Sequence, residues 1–178
     1  MRLFHFSDEP GIEVFRPRPV RVPSPRPEGR EWLNDPLVWA IDDWHQPMYL
    51  FPRECPRILL WPTRGTTADD RVAWWGDSPR RMIAFVETAW LPRLRDGQLY
   101  RYELPATAFE CLDDAGMWVA RSPVAIVAKT EVTDLPGALA ACDVELRALS
   151  NLTTLRDIWS TSLHVSGIRL RNAHNWSG

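Results

Sequence analysis

Lysine is nearly missing from this chain: Lys129 stands alone among 21 basic side chains in 178 residues. Schiff-base chemistry would rest on that one amine, while the arginines offer planar, permanently charged forks for phosphate or carboxylate. Cysteine is scarce too. Cys55, Cys111 and Cys142 are far apart and form no Cys-x-x-Cys pair, which argues against a zinc ribbon and against a disulfide framework. No apolar run reaches the roughly 18 residues that cross a bilayer, and no basic leader precedes the first strand. The expectation is a cytoplasmic protein with no membrane partner. Net charge is −2 and the pI is about 6.1, so nucleic acid is a possible partner that the overall field does not support. The Walker loop, G-x-G-x-x-G, H-E-x-x-H and G-x-S-x-G are all absent, which removes the common phosphate-loop, zinc-protease and serine-hydrolase signatures.

What is present has the balance of a folded domain, with 45% hydrophobic and 25% charged residues. The length fits one domain, residues 1–178, large enough to bury a core. The most informative stretch is Leu3-Phe4-His5-Phe6-Ser7. Strand alternation puts Leu3, His5 and Ser7 on one face and Phe4 and Phe6 on the other. Such a strand is expected to bury its phenylalanines and turn His5 and Ser7 toward a polar cleft.

Residues 16–36 carry Arg16-Pro17-Arg18-Pro19 and Val22-Pro23-Ser24-Pro25-Arg26-Pro27, which predicts an extended surface loop. It is either a plain connector or a flap whose Arg16, Arg18, Arg21, Arg26 and Arg30 meet phosphate. Leu37–Ile41 reads as a strand, and Asp43 with Gln46 as a capping box that starts a short helix at Trp44. Arg57–Trp61 reads as a buried strand. Met82, Ile83, Phe85, Val86, Ala89, Trp90 and Leu94 recur at near-helical spacing and predict a helix over 80–95, with Gly97 just past its end. Strands are expected at Leu99–Leu104, Met117–Ala120, Val124–Ala128 and Val144–Arg147, and helices at Leu135–Ala141 and Thr153–Ser162. The tail Ser166–Asn172 either closes a sheet edge or reaches back to a cleft. Strands outnumber helices and do not alternate with them, so the fold class is α+β: a single domain with a mixed, mostly antiparallel sheet and a few short helices.

The four histidines, His5, His45, His164 and His174, show no metal-ligand spacing, and no metal site is assigned. Asn175-Trp176-Ser177 fits a glycosylation sequon, which has no meaning in a cytoplasmic chain. Ten tryptophans serve either as core or as a stacking platform, and Trp39 is the one singled out for stacking. Cys55, between Pro52 and Pro56, is either a buried inert thiol or a nucleophile activated by Arg53 and Arg57.

A His-centred first strand, a long loop, a second strand with a small residue, a short helix and an apolar strand follow one another in this chain. That order resembles the ADP-ribosyltransferase-like fold. His5-Phe6-Ser7 matches that family's strand-borne histidine motif, and Trp39-Ala40-Ile41 occupies the place of its second motif. The resemblance implies NAD as cofactor, with His5 as the catalytic histidine on the ribose and Ser7 supporting it. Trp39 or Tyr49 would then lie on the nicotinamide, and Arg53 on phosphate. The family's late-strand glutamate has no counterpart, because Met117–Val127 carries Arg121 and Ser122 and no acid. The whole chain is also similar to a bacterial family of uncharacterised proteins, through Phe4–Ser7, Tyr49–Arg57 and Ser166–Ala173, a likeness that implies no activity. Two main readings follow. One is an NAD-dependent transferase (ADP-ribosyl or 2′-phosphate transfer) with a degenerate site. The other is a non-catalytic module on the same scaffold that binds a nucleotide, small molecule or protein, which the missing acid favours. A third uses His5 as a general base with Asp8 or Glu9.

Overall fold

The computed structural model describes residues 1–20, 22–23 and 25–176; Arg21, Ser24 and Ser177, named above, lie outside them. In chain order the strands are β1 (Leu3–Ser7), β2 (Val14–Phe15), β3 (Val38–Asp42), β4 (Arg57–Trp61), β5 (Met82–Glu87) and β6 (Leu99–Leu104). They continue with β7 (Glu110–Cys111), β8 (Met117–Ala120), β9 (Val124–Ala125), β10 (Ala128–Val132), β11 (Val144–Leu149) and β12 (His164–Ile168). The α-helices are short: α1 (Ala68–Asp70), α2 (Leu91–Arg95) and α3 (Leu135–Ala141). The class is α+β and mostly antiparallel, with one parallel pair, β5 and β11. The strands do not form the single sheet expected. They divide into sheets of six, four and two strands, and the chain divides into two compact units.

The first unit, Met1–Tyr49 with Leu99–Val132, holds the six-stranded antiparallel sheet in the order β10-β6-β1-β3-β8-β7 and the two-stranded β2-β9. Leu3, Phe15, Val38, Ala40, Tyr102, Leu104 and Val124 are among the residues of one buried cluster on it. Leu33, Leu37, Leu112 and Val119 form another, against which Trp32, Trp39 and Met117 pack. The Pro-rich loop is tied down in this unit. Arg18 exchanges main-chain hydrogen bonds with Leu37, and an Arg30 guanidinium N–H donates to the Leu112 carbonyl at 3.2 Å. The expected strand Val124–Ala128 is split. Val124 and Ala125 pair with β2, whereas Ala128 begins the strand that pairs with β6.

The second unit, Leu50–Gln98 with Thr133–Gly178, holds the sheet β11-β5-β4-β12. Here the expected helix over 80–95 is overturned. Met82–Glu87 is a strand with all six residues buried, flanked by β4 and β11. A strand buried on both faces is a continuous apolar run, and spacing alone does not separate that from a buried helix. Burial of each large apolar side chain there contributes about 1.5–3 kcal/mol, which outweighs local propensity. Only the end of that segment is helical, as α2, with Leu94 fully buried. The helix α3 forms as expected. Asp134 caps it by accepting from the Gly137 N–H at 3.2 Å, and Leu135 and Leu139, four apart, bury the same face. The tail closes a sheet edge, β12 lying antiparallel on β4.

Candidate anion-binding site

The residues singled out in the sequence fall in three places. His5 lies on the half of β1 that faces the Leu3 cluster. Its partner across the ladder is Tyr102, and its ring sits 4.4 Å from that of Phe15. The polar cleft expected on this face is therefore replaced by apolar packing, because β2 lays Phe15 there. The two central strands of the sheet, β1 and β3, are in register only at Leu3–Asp42 and Phe4–Ile41. Beyond that point His5 Nδ1 donates to the Trp39 carbonyl at 2.8 Å. A carbonyl only accepts, so Nδ1 carries a proton and donates it in this bond. Ser7 follows on the same face and its Oγ accepts from the Glu9 N–H at 3.1 Å.

Trp39 meets His5 only through its main chain. Val38 and Ala40 belong to the Leu3 cluster, and the Trp39 indole, on the alternate face, packs against Leu33, Leu37, Leu112 and Val119. The Arg26 guanidinium lies 5.8 Å from the centre of that indole, so the Pro-rich loop straps it. Tyr49 stacks on Phe6, at 6.5 Å and 14°, and its hydroxyl points to Met117 Sδ at 3.7 Å. Phe6 alternates with His5, so Tyr49 too is on the other face. The structure thus brings His5 and Ser7 together and sets the rings of Trp39 and Tyr49 apart from them. Arg53 belongs to the second unit.

The capping box is displaced by one residue. Asp42, not Asp43, accepts from the His45 main-chain N–H and from its ring Nδ1, both at 2.8 Å, and Gln46 donates to Asp43. The turn that follows is the 3-10 segment Gln46–Tyr49.

Arg53 proves to be part of a cluster that sequence reasoning did not assemble. Pro52 starts a turn closed by the Cys55 N–H donating to its carbonyl at 2.9 Å. Cys55 is fully buried at the bottom of that turn, and Arg57, also buried, donates from Nη1 to the Cys55 carbonyl at 3.0 Å. Across the ladder Arg57 faces Ile168, so the exit of β12 lies beside the entry of β4. Arg169 then takes a left-handed conformation (φ 57°) that turns the chain into the 3-10 segment Leu170–Asn172. A non-glycine residue held there costs about 1 kcal/mol and persists where its surroundings fix it.

The two segments meet at Glu54. Asn172 Nδ2 donates to the Glu54 carbonyl at 2.8 Å and to its carboxylate at 3.0 Å. Arg171 Nη2 lies 3.6 Å and Arg169 Nε 3.9 Å from the same carboxylate, and Arg169 Nε also donates to the Arg53 carbonyl at 3.4 Å. The Asn172 hydrogen bond, with the charges of Arg169, Arg171 and Arg53, holds the Glu54 carboxyl below its ordinary range despite some burial. Behind it, buried Glu87 accepts from the His174 N–H at 2.8 Å, so the end of the described chain is anchored on two carboxylates. Two guanidinium groups within 4 Å of one half-exposed carboxylate, with the charge of Arg53 also acting on it, give the cluster an excess of positive charge.

Residues 4–173 match the Family of unknown function (DUF6886). The chain belongs to this family. No curated protein and no solved structure matches it. The family match spans both units and includes the 52–57 turn and nearly all of the tail that meets it.

The signal for the cluster was visible in part. Ser166–Ala173 carries Arg169 and Arg171, but nothing in the spacing says that they approach residues more than a hundred positions earlier. Cys55 is no nucleophile here: burial pushes its thiol up to about 12, far from the thiolate that such chemistry needs. Among the described residues, no group of three or more His, Cys, Asp or Glu is placed to hold a metal ion. No helix among them is long and apolar enough to cross a membrane.

Proposed function

We propose that this protein is a non-catalytic binding module for a phosphate-bearing ligand such as a nucleotide, held by Arg53, Arg169 and Arg171. The observation that carries the reading is the approach of Arg169 and Arg171 to Glu54, with the charge of Arg53 acting on the same carboxylate, which stands in the position an anionic ligand group would take. Guanidinium forks bind phosphate oxygens through paired, charge-assisted hydrogen bonds. The thiol nearby, Cys55, is buried and its pKa is pushed up to about 12, which does not favour a nucleophilic role.

A second reading keeps NAD as cofactor and an ADP-ribosyltransferase-like scaffold, with His5 orienting the ribose and transfer of an ADP-ribosyl or 2′-phosphate group. It is favoured by the fork between β1 and β3 at His5. It is weakened by the separation of His5 from the Trp39 and Tyr49 rings and by the lack of an acid in β8.

Thermal-shift titrations with inorganic phosphate, ADP and NAD separate them. Ligand at 100 times its dissociation constant adds about 2.7 kcal/mol, roughly 5–10 °C for a domain of this size. The module reading expects a shift with all three anions that is lost in Arg171→Ala and unchanged in His5→Ala, with no nicotinamide released from NAD. Nicotinamide release that His5→Ala abolishes would replace it with the transferase.

A further inference from the structure

The strand β10, Ala128–Val132, is the outermost strand of the six-stranded sheet, and Ala128, Lys129, Thr130 and Glu131 are all exposed. Among the described residues only β6 pairs with it. An exposed edge presents a row of main-chain donors and acceptors that can template another strand. Natural sheets guard such edges with proline, bulges, shortness or charge, and the charges of β10, Lys129 and Glu131, are of opposite sign, so they complement those of an antiparallel second copy. β10 has no proline, runs for five residues and keeps an unbroken register with β6 from Ala128 to Val132.

Its sequence, Ala-Lys-Thr-Glu-Val, is complementary to itself when two copies run antiparallel about Thr130. Ala128 then faces Val132, Thr130 faces Thr130, and Lys129 faces Glu131 twice, once on each side of the axis. Opposite charges directly across a ladder stabilise the pair, and a twofold axis makes every contact occur in duplicate. Lys129 and Glu131 are two apart and share a face, so both ion pairs lie on one side of the joined sheet. Lys129 Nζ donates to the Pro10 carbonyl at 2.6 Å and stands 5.5 Å from the centre of the Tyr100 ring on β6, so pairing with a second copy draws on its two remaining donors.

We infer that β10 is a self-association edge: two copies of this chain join antiparallel through Ala128–Val132, with Thr130 on the twofold axis and Lys129 paired to Glu131 of the second copy. This is independent of any ligand.

The test uses sedimentation equilibrium at tens of micromolar protein. The wild type is expected to be dimeric. Lys129→Glu and Glu131→Lys each set like charges opposite one another and are expected to be monomeric. Mixing these two variants is expected to restore a dimer, because each then meets its complement. In addition, in a Cys111→Ser background that removes the exposed native thiol, Thr130→Cys is expected to form a disulfide-linked dimer under mild oxidation, since opposed residues bring their Cα atoms within about 4.5–5.5 Å. Ala128→Cys is not, since antiparallel pairing leaves it roughly 13 Å from its own copy. A monomeric wild type, or a dimer that survives both charge reversals and does not cross-link at Thr130→Cys, overturns the assignment. The cross-link also covers the case in which a charge-reversed variant folds poorly.

Discussion

Asn172 grips Glu54 at two points, its side-chain amide donating to both the main-chain oxygen and the carboxylate. That double bond pins the 52–57 turn to the tail and holds the Glu54 carboxylate among Arg53, Arg169 and Arg171. Two segments separated by more than a hundred residues thus form one charged surface because β12 and β4 pair in the register Ile168–Arg57.

If Glu54 stands where a ligand's anion binds, then it competes with that ligand. Glu54→Gln keeps the size of the side chain and an acceptor for Asn172 while removing the charge. Binding of inorganic phosphate or ADP, followed by calorimetry, is expected to tighten about fivefold, the equivalent of roughly 1 kcal/mol for a half-exposed ion pair. Weaker binding in this variant would show that the carboxylate assists the ligand, and would sink the competition model.

The carboxyls of this protein set its acid limit. Burial alone would raise the Asp42 carboxyl, but the side-chain and main-chain hydrogen bonds from His45 outweigh it and leave the group below its ordinary range. Glu54, Glu103 and Glu145 are lowered by hydrogen bonds from Asn172, Arg2 and Arg147. A carboxyl with a folded pKa below its unfolded one adds stability above about pH 4, and that stability disappears as the pH falls through the folded value. Urea midpoints are therefore expected to be flat near neutrality and to drop below about pH 4. Asp42→Asn keeps the capping acceptor and loses the charge, so it should lie about 1 kcal/mol below wild type at pH 6, the difference between a charge-assisted and a neutral hydrogen bond, and converge on it in strong acid. A gap of constant size across the whole range would contradict the assignment of charge to that contact.

The thiols divide by burial. Cys55 is fully buried and its thiol is pushed up to about 12, whereas Cys111 is exposed on β7. Iodoacetamide at mildly alkaline pH, read by peptide mass, is expected to modify Cys111 in the native protein and Cys55 only in denaturant. Rapid native labelling of Cys55 would reopen its role as a nucleophile.

Local signals carried much of the fold. Alternation located Leu3–Ser7 and Leu99–Leu104, and Leu135–Ala141 was legible as a helix. Met82–Glu87 was misread because a strand covered by neighbours on both sides has no polar face to give its period away. The site was harder for a different reason. Arg53 was read as a phosphate-binding arginine that brackets Cys55 with Arg57, but its companions are set by strand pairing across the chain, which no window of sequence reports. His5 was legible as a strand histidine. Its neighbours were not, since Phe15 reaches it from β2 and the Trp39 carbonyl reaches it through a break in the β1–β3 ladder.

Gly116 is held at φ 72°, and its carbonyl accepts from the Asp42 N–H at 2.9 Å. A Cβ at this position would stand 2.2 Å from His45 Nδ1 and 2.7 Å from the Asp42 carboxyl carbon. Gly116→Ala therefore meets two penalties at once, a backbone conformation that side chains disfavour and a clash with the Asp42–His45 pair. The cost is expected to be about 2–4 kcal/mol, a fall of roughly 4–16 °C in Tm. Gly11→Ala is the matched control. No heavy atom lies within 4 Å of its Cβ position and its φ is not positive, so its Tm is expected to stay within a degree or two. In Asp42→Ala/His45→Ala the clash is gone and only the conformational penalty remains. There Gly116→Ala should cost about 1 kcal/mol, a coupling that a double-mutant cycle measures. Equal costs in both backgrounds would place the whole effect in the backbone and none in the pair.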